Sequence, residues 1–180
     1  MNCRYIFLIM VLGLTACATP QPPDFTVRNI TPVKNKQQAE LRSITVVYDA
    51  NAKTDVDMRL LARSNVDTAS LWKEGLTDAL NRSVVFQDDQ ELKVSLSVRI
   101  VEIDATNALA TEMVVTALYE LIDRATGKIL FKENIKGSGA VPLSESGIAP
   151  TRVTRLFEMT VRDNIRNFIS TLSEIKLVER

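Results

Sequence analysis

The sequence predicts an α+β domain: a two-layer sandwich in which a mostly antiparallel four-strand sheet carries two helices on one face. Three observations lead to this prediction. Two stretches in the middle of the chain alternate apolar and polar residues with the period of a strand. The last part of the chain repeats apolar residues at helical spacing. The order strand, helix, three strands, helix is typical of a sheet covered on one side.

The first strand is predicted over Ser43–Asp49, where β-branched and aromatic residues predominate. A helix follows from about Thr68 to Ser83, and Asp67 or Thr68 can cap its first turn. Gly75 lowers the stability of this helix by about 1 kcal/mol relative to alanine. We therefore expect close packing on the sheet to explain the glycine. The first strand, this helix and the next strand can form a right-handed parallel crossover.

The next three strands are predicted to form a meander. The first covers Glu91–Asp104, and the second covers Glu112–Asp123, whose two apolar faces indicate a central strand. A turn at Arg124–Gly127 leads to the third strand, Lys128–Lys136. Gly137–Pro150 is predicted to be a loop, because Gly, Ser and Pro fill at least half of its positions.

The clearest helix prediction covers Thr151 to about Leu177. One apolar stripe runs along it: Val153, Phe157, Val161, Ile165, Phe168, Leu172 and Ile175. Such a stripe packs against the apolar face of a sheet, so this helix and the first one are expected to share that face.

Residues 1–16 have the three parts of an export signal. Arg4 supplies the positive charge, and Tyr5–Leu14 is an apolar run of ten residues. A helix that crosses a bilayer needs about 20 residues, so this run is too short for a transmembrane anchor. The sequence Leu14-Thr15-Ala16-Cys17 resembles the lipobox of bacterial lipoproteins, in which a peptidase cuts before the cysteine.

That resemblance implies a covalent lipid on Cys17, with diacylglycerol on the thiol and a third acyl chain on the amine. Several acyl chains anchor a protein stably, whereas one chain holds it only marginally. Ala18 stands where an aspartate often retains lipoproteins in the inner membrane, so the resemblance implies the outer membrane, on its periplasmic face. The alternative is an ordinary secretory signal cut elsewhere, which would leave Cys17 a free thiol.

Residues 17–40 are predicted to be the lipidated cysteine and a flexible, proline-rich tether, and residues 41–180 a single periplasmic domain. The tether holds four of the six prolines and few large apolar residues, a composition that favours extended, unpacked chain. Phe25, Val27 and Ile30 could instead lie along the folded domain.

The composition limits the chemistry. Lys and Arg number 22, as do Asp and Glu, so the chain has no general electrostatic attraction to nucleic acid. It contains no histidine, which removes histidine-based triads and most zinc or copper sites. Cys3 leaves with the signal and Cys17 carries lipid, so no internal disulfide is expected. We expect no enzyme activity, no metal and no cofactor beyond the covalent lipid.

The whole chain looks like small outer-membrane lipoproteins of Gram-negative bacteria in its order of elements. The nearest types are the YajG-type lipoproteins, the auxiliary lipoproteins of envelope lipid-transport systems and the lipopolysaccharide-assembly lipoprotein. The local resemblances are the lipobox and the hairpin from Tyr119–Asp123 to Thr126–Lys128. The resemblance implies a non-enzymatic protein that supports an outer-membrane assembly or transport machine through contacts with an envelope protein.

Two questions stay open at the level of sequence. The rival function is a periplasmic module that binds a lipid or a glycan between sheet and helices. The stretch Ala50–Asn65 can be read as an arm, a strand or a loop. Its apolar residues, Met58, Leu60 and Leu61, form a candidate partner surface if they are exposed, and otherwise fold back on the sheet.

The anchor is testable by substituting its attachment atom. Cys17→Ala should abolish lipidation and leave the protein uncleaved or soluble, because the thiol is the atom that receives the lipid. Detergent partitioning of envelope fractions measures this. Partitioning like that of the unaltered protein would contradict the lipoprotein assignment.

Overall fold

The computed structural model of the chain describes residues 22–54, 67–105, 111–145 and 149–177. These residues form four strands, two long helices and a short 3₁₀ turn. The strands are β1 (Glu40–Thr54), β2 (Lys93–Ala105), β3 (Glu112–Asp123) and β4 (Ile129–Ala140), and the helices are α1 (Thr68–Ser83) and α2 (Ala149–Glu174). The predicted α+β fold class and the predicted order of elements are confirmed.

The strands form one mixed sheet in the order β1-β2-β3-β4. β1 runs parallel to β2, whereas β2, β3 and β4 form the antiparallel meander. Parallel neighbours need a long connection between them, and α1 lies in the connection from β1 to β2. α2 packs on β3 and β4, and α1 packs on β1 and on α2. The sheet therefore has one face covered by helices and one open face.

The covered face forms the core. In β2, alternate residues are at most 2% exposed: Val94, Leu96, Val98, Ile100 and Ile103. The spacing from Ile100 to Ile103 is three rather than two, because the register shifts between Ile100 and Glu102. This bulge inserts one residue and keeps both the earlier and the later apolar side chains on the same face.

A buried polar side chain fastens α2 to this face. Asn164 is fully buried; its Oδ1 accepts a hydrogen bond from the Tyr119 hydroxyl (2.7 Å), and its Nδ2 donates to the carbonyl oxygen of Ile135 (2.7 Å). The Tyr119 ring also stacks on Phe168, with ring centroids 4.0 Å apart. Burial raises the pKa of Tyr119, so its hydroxyl keeps the proton that the bond to Asn164 needs. The helix is thereby joined to two strands at once.

β4 continues through the Gly-Ser-Gly sequence. Gly137 pairs with Val115 and the strand ends at Ala140, so the loop predicted over Gly137–Pro150 is wrong for its first residues. A Cβ atom at Gly137 would lie 2.3 Å from the carbonyl oxygen of Thr160. The glycine is present because the backbone of α2 comes too close to the strand for any side chain.

β1 extends at both ends beyond the predicted Ser43–Asp49. Lys53 pairs with Glu102 near the far end, after an irregularity in the ladder. The first residues of the ambiguous stretch Ala50–Asn65 are therefore strand, although their polar composition does not predict one. Pairing with β2 supplies the backbone hydrogen bonds that local propensity does not specify.

Residues 22–39, which the sequence assigns to the tether, pack along the domain and are called the N-terminal strap below. Pro23, Phe25 and Val27 are buried at alternate positions. The Phe25 ring meets the edge of Phe157 of α2, with centroids 5.4 Å apart. The flexible tether predicted through residue 40 is thus corrected for this part of the chain. The alternative, that the apolar residues lie along the domain, describes it, because burial of their side chains offsets the entropy of ordering.

Gly75 of α1 makes room for the strap and not, as expected, for the sheet. A Cβ atom at Gly75 would lie 2.7 Å from the carbonyl oxygen of Phe25. Trp72, one turn earlier on α1, is fully buried as expected of a core residue and faces the Phe25 ring at a centroid distance of 6.4 Å. The strap therefore lies in the groove between the two helices.

The strap also closes the end of α2. The buried amide nitrogen of Gln37 donates to the carbonyl oxygens of Leu172 (2.6 Å) and Ile175 (2.9 Å), and the backbone N–H of Leu177 donates to its Oε1 (3.0 Å). The last carbonyls of a helix have no partner within the helix, so this side chain satisfies groups that would otherwise be left unpaired in the interior.

The burial pattern of β2 is testable with two adjacent residues. Leu96→Ala should lower the free energy of unfolding by about 2–5 kcal/mol, because Leu96 is 1% exposed and its loss leaves a cavity. Ser97→Ala, on the open face, should change it by less than about 0.5 kcal/mol. Urea denaturation measures both. Equal effects would mean that the strand is slipped by one residue.

Candidate functional site

The residues that the sequence singles out for function lie outside the described residues. Leu14, Thr15, Ala16 and Cys17 precede residue 22, and Met58, Leu60 and Leu61 fall between residues 54 and 67. The cleavage motif, the lipid attachment and the partner surface therefore stay predictions. Within the described ranges no helix has the length and apolar character needed to span a bilayer. In the same ranges no group of three or more acidic, Cys or His residues is arranged to hold a metal ion.

Polar side chains of α2 contact the backbone of β4 over Ile135–Ser138. Asn164 donates to the carbonyl oxygen of Ile135, as described above, and the Nδ2 of Asn167 donates to the carbonyl oxygen of Lys136 (2.9 Å). On the same edge the backbone N–H of Ser138 donates to a carboxylate oxygen of Asp163 (3.0 Å). These three backbone groups are satisfied within the domain, so this part of the β4 edge has little capacity to pair with another strand.

The β1 edge is different. Within the described part of the chain, β1 has β2 as its only strand neighbour. Its middle carries Val47 and Tyr48, which are 43% and 36% exposed. No proline interrupts the strand. Exposed apolar side chains beside unpaired backbone groups are the features that favour strand addition.

A groove of about 620 Å³ runs between this edge and α1, and we call it the edge groove. Its apolar lining comes from both elements and from the segment after α1: Leu41, Ile44, Leu80, Val84 and Phe86. Charged side chains stand at its margins, Arg42 and Lys73 with positive charge and Asp88 with negative charge. Ser43, Thr77 and Asn81 complete the lining, so the edge groove combines a strand edge, five apolar residues and polar side chains with charges of both signs.

One wall of the edge groove has an unusual backbone conformation. Val84 ends α1 with φ 50° and ψ 34°, the left-handed region that usually selects glycine at this position. A β-branched residue rarely adopts it, because its Cβ substituents crowd the backbone there. Val84 is 37% exposed, so burial of the side chain does not fully offset that strain. Strained residues of this kind concentrate at functional sites.

An ion-pair network ties the strands together on the open face. The carboxylate of Glu120 on β3 contacts Lys132 Nζ on β4 (2.9 Å) and a guanidinium nitrogen of Arg99 on β2 (3.2 Å). Arg99 also lies 3.7 Å from Asp49 on β1. The Glu120 side chain is 10% exposed, and its hydrogen bond with Lys132, more than any other contact, lowers its pKa. The network joins all four strands and pairs every carboxylate in it, which is typical of a structural role.

The sequence reasoning missed the β1 edge and the edge groove. The exposed Val47 belongs to a strand that the sequence predicts from its β-branched and aromatic residues, and that composition does not say whether the strand lies at an edge. Only the position of β1 at the end of the sheet exposes it. Proline and lysine are common on edge strands that are protected from pairing, and Ser43–Asp49 contains neither. Their absence was the sequence signal for an unprotected edge.

No protein-family model and no curated protein matches the chain. A crystal structure of protein XCC0632 from Xanthomonas campestris, a DUF330 protein, is similar to it, with a TM-score of 0.56 and 9% identity. The similarity covers 83% of this chain and 92% of that one. At so low an identity it shows a shared fold and nothing more.

Two solved lipoproteins are similar at a lower level. A putative lipoprotein from Caulobacter crescentus has a TM-score of 0.41 at 14% identity and covers 73% of this chain and 88% of its own. A minor lipoprotein from Acinetobacter baumannii has a TM-score of 0.41 at 13% identity, with 73% and 92% covered. These scores are too low to establish a common fold.

The ion-pair network predicts a specific pH dependence. The pKa of Glu120 lies below its ordinary value of 4.5 in the folded protein. Its contribution to stability is therefore complete above about pH 4.5 and is lost as the pH falls through the lowered pKa. Glu120→Gln should be less stable than the unaltered protein near neutral pH and lose less stability on acidification.

Melting temperature as a function of pH measures this effect. Glu133→Gln, the same change at an exposed position of β4, is the matched control and should keep the original pH profile. An unaltered profile in Glu120→Gln would show that the network does not contribute to stability.

Proposed function

We propose that this chain is a non-enzymatic, lipid-anchored protein of the bacterial cell envelope. In this proposal it supports an assembly or transport machine at the outer membrane through protein–protein contacts. The observation that supports it best is the difference between the two edges of the sheet. α2 satisfies backbone groups of β4 over Ile135–Ser138, whereas β1 carries the exposed Val47 and Tyr48, and the edge groove lies along its first residues.

The contact that we propose is strand addition. An extended segment of the partner pairs with β1 through backbone hydrogen bonds, which supply affinity. Every second side chain of that segment then points toward the edge groove, where Leu41, Ile44 and Phe86 accept an apolar residue. Arg42 and Lys73 at the margins favour a partner segment with acidic residues.

The rival function, a lipid or glycan held between sheet and helices, has less support. The space between the layers is filled by large side chains that are fully buried: Trp72, Tyr119, Phe157 and Phe168. A depression of about 570 Å³ near the start of β1 is lined largely by polar side chains, among them Lys36, Gln38 and Glu91. An apolar lipid chain would need an apolar lining instead.

The non-enzymatic part of the proposal rests on composition. The chain contains no histidine, the residue that most often moves protons at neutral pH. The described carboxylates with clearly lowered pKa values are held by hydrogen bonds or ion pairs of a structural kind, as in Glu120 and in Asp123 of the β3–β4 turn.

The proposal is tested by placing a charge on the open edge. Val47→Lys should strongly reduce the protein that co-purifies from detergent-solubilised envelopes, because a lysine on a strand edge opposes pairing. Ile129→Lys is the matched control: Ile129 is an exposed apolar residue (47%) of β4, the strand at the other end of the sheet. Both variants should melt within a few degrees of the unaltered protein, because both positions are exposed.

Cross-linking identifies the contact directly. A photoreactive residue at position 47 should form an adduct with one envelope protein, and mass spectrometry should map it to an extended, partly apolar segment. The same residue at position 129 should not form that adduct. Equal adducts at both positions, or co-purification unaffected by Val47→Lys, would contradict the proposed contact.

A further inference from the structure

The first described residues of the chain are fixed in the helix layer. The backbone N–H of Asp24 donates to Oε1 of Glu158 on α2 (2.9 Å), and the Asp24 carboxylate lies 3.2 Å from a guanidinium nitrogen of Arg162. Pro23 and Phe25 on either side are buried, and Phe25 contacts both helices. The packed part of the chain therefore includes residues from Pro23 onward, well before residue 41.

The distance from this point to the lipid attachment is short. Six residue steps separate Cys17 from Pro23. An extended chain advances at most about 3.5 Å per residue, so the two residues lie within about 20 Å of each other whatever conformation joins them. The starting point is the groove between α1 and α2, within the helix layer.

The sheet and the helix layer together are about 20 Å thick, because a helix measures about 10 Å across and packs about 10 Å from its neighbour. A chain of at most about 20 Å cannot start between the helices, pass around one of them and the sheet, and still reach a bilayer that lies against the open face. The short distance between Cys17 and Pro23 thus limits which face of the domain can lie against the membrane.

From this geometry we infer that the lipid anchor holds the helix layer against the bilayer, with the open face of the sheet directed away from it. The inference rests on the proposed lipid anchor at Cys17. It gives the domain two separate surfaces: the outer side of α2 meets lipid headgroups, while the open face and the adjoining β1 edge remain accessible to a protein in the periplasm.

The outer side of α2 has a composition suited to a phospholipid surface. Arg155 and Met159 are exposed one turn apart, and the Arg166 side chain, further along the same side, is 57% exposed. Two acidic residues beside this side are less exposed: the Glu158 side chain is 21% exposed, and the Asp163 side chain, which lies 3.3 Å from Arg166, is 29% exposed. The third acidic residue of the helix, Glu174, is exposed at its last position. Exposed cationic side chains around an apolar one favour the interface of an anionic bilayer.

Site-specific labels test the orientation. On this reading the mature chain contains a single cysteine, Cys17, whose thiol carries lipid, so one introduced cysteine is a unique attachment site. Met159→Cys places a fluorophore on the outer side of α2, and Asn134→Cys places it at an exposed position of the open face, opposite Leu118. The lipidated full-length protein is reconstituted into vesicles of phosphatidylethanolamine and phosphatidylglycerol that carry a headgroup-linked spin label.

Quenching should be several-fold stronger for the label at 159 than for the label at 134. Insertion of a Gly/Ser segment of about 20 residues between Gln21 and Pro22 should remove the difference, because such a segment spans about 25 Å as a coil. Equal quenching without the insertion, or a difference that survives it, would overturn the inference. Vesicle flotation separates this outcome from failure of the anchor: a protein that does not float lacks the lipid.

Discussion

The structure depends on the close contact between α2 and the strands beneath it. Gly137 removes the side chain that would hold the helix away, and the amide of Asn164 then reaches both the Tyr119 hydroxyl and the backbone of β4. A buried amide with both ends satisfied strengthens packing, whereas one left unpaired would cost about 1–3 kcal/mol. The contact therefore sets the position of the helix along the sheet as well as its distance from it.

Two consequences follow for the surface of the domain. With α2 in this position, Asp163 and Asn167 contact the backbone of β4 at Ser138 and Lys136 and block strand pairing there. The parallel strand β1 lies at the other end of the sheet, where α1 covers its face and leaves its edge beside a groove. A protein with one closed and one open edge can accept an added strand without extending into a continuous sheet, since each partner finds only one place to pair.

The strap is part of the packed core of the domain. Phe25 fills the space between Trp72 and Phe157, and Gly75 allows its backbone to approach α1. Removal of this segment would expose the aromatic side chains beneath it, so the strap contributes to the free energy of unfolding of the domain. If the lipid is attached at Cys17, only six residue steps separate the anchor from the packed residue Pro23. The length of that short segment then limits the orientation of the domain on the membrane.

The sequence alone determined the order of elements, because the spacing of apolar residues within a short window identifies a strand or a helix. The alternation around Leu96 and the stripe through Phe157 and Phe168 are recognised without knowing which segments they pack against. It also carries the whole case for the anchor at Cys17. Tertiary structure decided the rest. Gly137 and Gly75 look like loop residues or weak points in helices until the neighbouring backbone is seen 2.3 and 2.7 Å from their missing Cβ atoms. Val47 looks like core until its strand is found at the end of the sheet, and Pro23 and Phe25 look like tether until two helices are found around them. Local sequence patterns reflect the preference of each segment for helix, strand or burial. Sheet edges, grooves and close backbone contacts form between segments that are distant in the chain, so local patterns do not reveal them.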